Sequence, residues 1–269
     1  MCVPGCLQHV QSGLNRRGFI GAGALAAGTM LAAPVATAQT RSFGSVVDLT
    51  HTISPEFPTY FGKSGIEMKD LYTLAKDTLN LKIWTLNEHV GTHIDSPFHF
   101  SENGWTVDLI PAANLVCPLC VVDIAARAQD DADTQVTPDD IKAWEAAHGP
   151  IPAGACIAMR SGWDAYVTGD KFRNADSEGA MHFPGFHPDT VAMLIDGRQV
   201  VGIGVDTLSL DYGKSKDFAV HRSWLPTNRW GIECMAGMGA LPASGATLLV
   251  GAAKVKGATG GPARLYALV

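Results

Sequence analysis

Apolar and polar positions along the chain change period several times, and each change marks an element. Residues 46–53 (Val-Val-Asp-Leu-Thr-His-Thr-Ile) alternate well enough to predict a first strand, which Ser54-Pro55-Glu56-Phe57-Pro58 breaks. Residues 79–86 predict another strand. Residues 115–124 form an apolar run with no polar face, the pattern of a strand buried on both sides. Thr137-Pro138-Asp139-Asp140 opens a helix, because Thr caps well, Pro suits the first turn and acids oppose the helix dipole. Ile141 and Trp144 mark its apolar side and Gly149-Pro150 stops it. Residues 155–160 and 200–205 read as short buried strands. A helix is expected from Pro188 to Asp196, closed by Gly197. At the C-terminus, residues 246–253 and 264–269 predict two strands around a Gly-rich connection at 257–261. Strands outnumber helices and helices lie between some of them, so the fold class is mixed α/β.

The first forty residues do not read as fold. Asn15-Arg16-Arg17-Gly18-Phe19-Ile20 precedes an apolar Gly/Ala-rich run, and Ala36-Thr37-Ala38 offers a small-residue cleavage site. This resembles a twin-arginine export signal over residues 1–38, with a folded domain over 39–269 and a periplasmic destination. Cleavage there removes two arginines and no acid, taking the net charge from −6 to −8. An acidic domain argues against nucleic acid as a partner, and no later segment is long and apolar enough for stable membrane insertion.

The chemistry concentrates in residues 89–99, His-Val-Gly-Thr-His-Ile-Asp-Ser-Pro-Phe-His. His89, His93, Asp95 and His99 all fall on odd positions, and in extended chain alternate residues face one side. Val90, Thr92 and Ile94 favour strand, and Pro97 excludes a continuing helix. Four residues of straight strand span roughly 13 Å, too far for His89 and His93 to meet at one ion, so a bend is expected at Gly91. Imidazole nitrogens and a carboxylate oxygen are common ligands of divalent metals.

This stretch resembles the signature of the metal-dependent cyclase family, which includes bacterial kynurenine formamidases and isatin hydrolases. The resemblance implies a swivelling β/β/α single domain of mixed sheets with flanking helices, assembled as a homodimer or homotetramer. It implies one or two divalent ions per chain, zinc or manganese. His89, His93 and Asp95 would hold one ion. Asp95 would bridge to a second held by His221, with Glu233 touching both and His99 acting as general acid/base. A bound ion can lower the pKa of water from about 16 to about 7. Hydroxide so formed beside His99 would open a C–N bond of a cyclic or N-acylated aromatic amide, isatin-like or formylkynurenine-like, or else a lactone. Tyr60 and Phe61 stand where the formamidases carry a tryptophan. Together with Trp84 and Trp224 they are expected to contact the substrate, and Phe98, Trp163 and Trp230 to approach it.

Two other classes stay open on the sequence. The same ligands could carry an ion in a non-catalytic periplasmic protein. Cys117-Pro118-Leu119-Cys120 has the spacing of a redox pair, although it lies inside an apolar strand rather than opening a helix, where thiols are acidified. His182 and His187, before the second helix, read as capping or surface residues, and Asp206 as an orienting carboxylate or a turn cap.

Replacing Arg16 and Arg17 by lysine is expected to hold the precursor in the cytoplasm, read by fractionation and precursor size. Normal periplasmic processing of that variant would reject the export assignment.

Overall fold

The computed structural model describes residues 42–269, so the expected export signal lies outside the described residues. Twelve strands and five α-helices follow in order, with short 3₁₀ turns between some of them. They are β1 (Val46–Asp48), β2 (Ile66–Tyr72), α1 (Leu74–Asp77), β3 (Leu81–Leu86), β4 (His93–Asp95), β5 (Val116–Asp123), α2 (Ala125–Asp130), β6 (Gln135–Val136), α3 (Pro138–His148) and β7 (Cys156–Arg160). Then come β8 (Gly185–Phe186), α4 (Pro188–Gly197), β9 (Gly202–Val205), α5 (Ala219–Trp224), β10 (Trp230–Glu233), β11 (Ala246–Ala252) and β12 (Gly260–Leu268).

Eight strands form one mixed sheet in the order β1-β12-β11-β5-β7-β9-β10-β4. The N-terminal end of β12 also pairs with β4, so the sheet closes into a ring. The centre of the sheet, β5-β7-β9-β10, is parallel; the rest is antiparallel. The parallel strands are buried on both faces, which is why their sequences carry no polar stripe. In β5, Cys117, Leu119 and Val121 enter one core with Ile94, Trp230, Leu248 and Leu265. Cys120 and Val122 point the other way, into a second core with Ile141, Trp144, Val191 and Leu194 of α3 and α4. The period-2 geometry of a strand thus divides one apolar run between two cores. Both thiols are buried, and burial pushes each up to about 12, so the redox reading of this pair finds no acidified thiol.

Helix α3 starts as its sequence dictates. The Thr137 hydroxyl accepts from Asp140 N, and the Asp140 carboxylate accepts from Thr137 N at 2.7 Å. His187 caps α4 by accepting from Asp189 N at 3.2 Å, and His182 faces Asp133 at the surface. Asp206, one residue past β9, accepts from the backbone N–H of Ser161, Gly162 and Trp163 and from the Ser161 hydroxyl at 2.6 Å. It is a turn cap.

Three expectations are corrected. The first strand is only three residues long, with an isolated bridge at Thr50, because the Ser54–Pro58 break begins to turn the chain away. The Gly-rich connection at 257–261 ends inside β12, since Gly260 and Gly261 pair with Asp95 and Ile94. A strand over Ile66–Tyr72 was not expected; it pairs with β3 as a separate two-stranded hairpin whose residues after Ile66 are exposed.

Where β9 and β10 pair, Trp230 lies opposite Gly202, and a Cβ at 202 would overlap the indole ring. Gly202→Ala is therefore expected to cost about 1–3 kcal/mol, the usual range for overpacking, read as a lower denaturation midpoint. A midpoint equal to that of the wild type would contradict this packing.

Candidate metal centre and active site

The register between β10 and β4 assembles the centre. Glu233 stands opposite His93 and Gly231 opposite Asp95, so a glutamate from residue 233 reaches a histidine and an aspartate from a motif 140 residues earlier. Gly91 has φ +67°, and a Cβ there would lie 2.5 Å from Ile53 Cγ1. The expected bend is real, and only glycine suits it. The motif is not one extended strand, however. It turns through Gly91, runs straight over His93–Asp95 and tightens into a 3₁₀ turn over Pro97–Phe100 that carries His99. The turns, rather than alternation alone, gather its side chains.

His221 arrives from α5. Asp211 accepts from Val220 N at 2.9 Å and His221 N at 3.2 Å, capping this six-residue helix, and its carboxylate also meets His221 Nδ1 at 2.6 Å. Nδ1–H therefore donates to Asp211 and Nε2 is left facing the centre. His93 is fixed likewise, with Nδ1 against Gly91 O at 2.9 Å. Its Nε2 lies 3.3 Å from both Asp95 Oδ1 and Glu233 Oε2. His221 Nε2 lies 3.1 Å from Glu233 Oε1 and 3.5 Å from Asp95 Oδ2. His89 Nδ1 lies 2.7 Å from Asp95 Oδ1, and its ring is stacked 4.0 Å from that of His99.

The electrostatics are those of two buried acids held by imidazoles. Burial alone would lower His93, but the neighbouring Asp95 and Glu233 carboxylates raise it to about 10. His221 is raised well above its ordinary value against burial, first by Asp211 and then by Asp95 and Glu233. Burial opposes charge on Asp95, yet His221, His89 and His93 hold it well below the usual carboxylate range. Burial pushes His99 down to about 4, with His89 and His221 adding to the effect against Asp95 and Glu233. His99 is thus held neutral.

These residues fit a divalent metal. His93 Nε2 and Asp95 Oδ2 are buried without a hydrogen-bond partner, an arrangement that costs free energy unless a cation satisfies them. Ligand atoms about 2.1 Å from a tetrahedral zinc stand about 3.4 Å apart, close to the separations among these groups. The sets His93–Asp95–Glu233 and His89–Asp95–His99 each place ligand atoms within 4.8 Å of one another.

The centre forms one end of a cavity of about 360 Å³ lined by His89, His93, His99, His221 and Glu233, with Phe57, Tyr60, Phe61, Phe100 and Phe218 among its walls. Tyr60 and Phe61 line this cavity. Trp84 and Trp224 do not. Trp84 is on the exposed hairpin, 63% accessible and away from the cavity. Trp224 is buried in the second core with Nε1 donating to Trp230 O, because its face of α5 packs on the sheet. Trp163 and Trp230 are likewise core residues. The wall is made of phenylalanines instead, and Phe100 and Phe218 sit next to elements that the site already needs. Sequence reasoning gave no site role to Phe57, Phe100, Phe218 or Asp211. The aspartate ten residues before His221 was the available signal.

The Cyclase family model matches residues 47–212. A curated isatin hydrolase of Roseibium aggregatum is 37% identical over 195 residues, covering 68% of this chain and 73% of that protein. A kynurenine formamidase of Salinibacter ruber is 25% identical over 195 residues, covering 70% and 81%. The crystal structure of isatin hydrolase A from Labrenzia aggregata bound to benzyl benzoate superposes with a TM-score of 0.79 at 32% identity, covering 84% of this chain and 93% of that one. A family-model match over more than half of its length and a relative 37% identical over 68% of it place this chain in the cyclase family.

Proposed function

We propose that this chain is a metal-dependent hydrolase that opens a C–N bond in a cyclic or N-acylated aromatic amide, with isatin-like substrates ahead of formylkynurenine-like ones. The observation that carries this reading is the single cavity in which a neutral histidine, a set of buried metal ligands and an aromatic wall meet. The likeness to isatin hydrolases at 37% and 32% identity supports the order of substrates.

His89, His93, Asp95, His221 and Glu233 would hold one or two ions of zinc or manganese. A bound divalent ion supplies a Lewis acid for the carbonyl and acidifies water. Phe57, Tyr60, Phe61, Phe100 and Phe218 would grip a flat ring and exclude solvent. Neutral His99 accepts the proton of the attacking water as its oxygen bonds to the carbonyl carbon. It then returns that proton to the nitrogen as the C–N bond breaks, leaving an amine and a carboxylic acid, which gives up its own proton to solvent at neutral pH. An ester-opening reading keeps the same groups, and a lactone is the third choice of substrate.

We also propose a periplasmic location, supported by Arg16-Arg17 and the apolar run behind them, and a homodimer or homotetramer. The assembly is supported by the hairpin, where Met68, Leu71, Tyr72, Leu81, Ile83 and Trp84 are exposed and a partner subunit would cover them.

Metal-reconstituted enzyme is expected to consume isatin, followed by absorbance, faster than N-formylkynurenine or an aryl lactone. His93→Ala should lose bound metal and turnover together. His99→Ala should keep its metal and lose on the order of 10²–10⁴-fold in kcat. Three intact substrates with metal bound would sink the amide-hydrolase reading. Equal metal loss in His99→Ala would make His99 a ligand, as its place beside His89 and Asp95 permits, and would favour the ion carrier.

A further inference from the structure

The last strand does more for His89 than close the sheet. Thr259, immediately before β12, donates its backbone N–H to Glu88 Oε2 at 3.1 Å, and its hydroxyl donates to the same oxygen. The hydroxyl oxygen also lies 3.1 Å from His89 Nε2. A threonine hydroxyl has one proton. With that proton given to Glu88, the oxygen can only accept from the ring, so Nε2 carries the hydrogen. In a neutral imidazole the other nitrogen is then a bare acceptor. That nitrogen, Nδ1, faces the Asp95 carboxylate at 2.7 Å. A proton can occupy the space between them in the metal-free ring, and a divalent ion bound there takes its place.

The next residue limits where the ring can go. A Cβ at Gly260 would lie 2.6 Å from His89 Cε1 and 2.7 Å from Ile94 O. His99 stacks on the ring at 4.0 Å with an interplanar angle of 26°. One edge, one neighbouring backbone and one face of the imidazole are therefore set by residues that hold no ion themselves.

We propose that Glu88, Thr259 and Gly260 form a cradle that fixes the His89 ring and its tautomer, so that Nδ1 is the atom offered to the metal. Glu88 and Thr259 are positioning residues. The inference rests on the metal reading above and adds Thr259 and Gly260, which lie outside both the motif at 89–99 and the family match over 47–212. It also makes the C-terminal strand a partner in the first ion site. Partners of ligating histidines typically contribute 10–100-fold in metal affinity.

The test is a titration of metal-free protein with Co²⁺ in competition with a chromophoric chelator, with the visible d–d spectrum recorded alongside. Thr259→Val, which keeps shape but removes the hydroxyl, is expected to bind cobalt 10–100-fold more weakly and to alter the spectrum. Thr259→Ser should bind within a few-fold of wild type. Gly260→Ala should weaken binding as Thr259→Val does, by pressing on the ring. A merely structural role for Thr259 would lower the melting temperature of the metal-free protein and leave the spectrum of the loaded site unchanged. If Thr259→Val does not fold, Thr259→Ala removes the same hydroxyl without the second methyl and is read in its place. Cobalt affinity and spectrum unchanged in the hydroxyl-free variant would overturn the cradle while leaving the metal reading intact. A wild-type chain that takes up no cobalt would overturn both, so the two failures are told apart in one experiment.

Discussion

Asp95 and Glu233 are buried side by side, and the rest of the centre answers that fact. Two carboxylates out of water repel each other and lose hydration worth several kcal/mol each. They persist only beside positive charge. Three imidazoles surround them, and protons and divalent ions compete for the same lone pairs. The centre is a store of negative potential that one kind of cation or another must balance, which ties metal affinity to proton concentration.

The sheet creates this otherwise unfavourable meeting. β4 is three residues long and is held on both edges, by β10 and by β12. A one-residue slip in either pairing would turn His93 and Asp95 to the opposite face. The parallel strands behind, packed on two cores, make such a slip expensive. Rigidity here comes from the apolar alternation of β5, β7 and β9, well away from the chemistry. The walls of the cavity lie on loops instead, where Tyr60 and Phe61 stand next to a turn.

Much of this was legible in the residues, and the rest was hidden for physical reasons. His89, His93, Asp95 and His99 announce themselves because four donors share eleven residues, and Gly91 announces the bend. The capping box at Thr137 and Asp140 and the apolar run from 115 to 124 are local signals too. The hairpin strand at Ile66–Tyr72 carries no core-facing stripe, so its alternation had nothing to mark it. Helix α5 is six residues long, begins after Phe218 in a left-handed conformation, and gives no amphipathic period. His221 and Glu233 could be named by resemblance alone. Trp84 and Trp224 show the limit of reasoning by residue type: an aromatic side chain near a site in sequence can equally face solvent or the core. Thr259 was out of reach, because its partner lies 170 residues away and Gly260-Gly261-Pro262 has the composition of a loop.

The ring of strands is closed by the last of the twelve strands in chain order. β12 pairs with β1, β4 and β11, so its first pairing partner in sequence waits for more than two hundred residues. Such long-range closure makes folding slow. A nascent chain still on the ribosome has the donors of the motif but not the wall that holds them in place. The centre is therefore assembled only once β12 has left the ribosome, so one late strand holds together the earliest and the latest strands of the sheet.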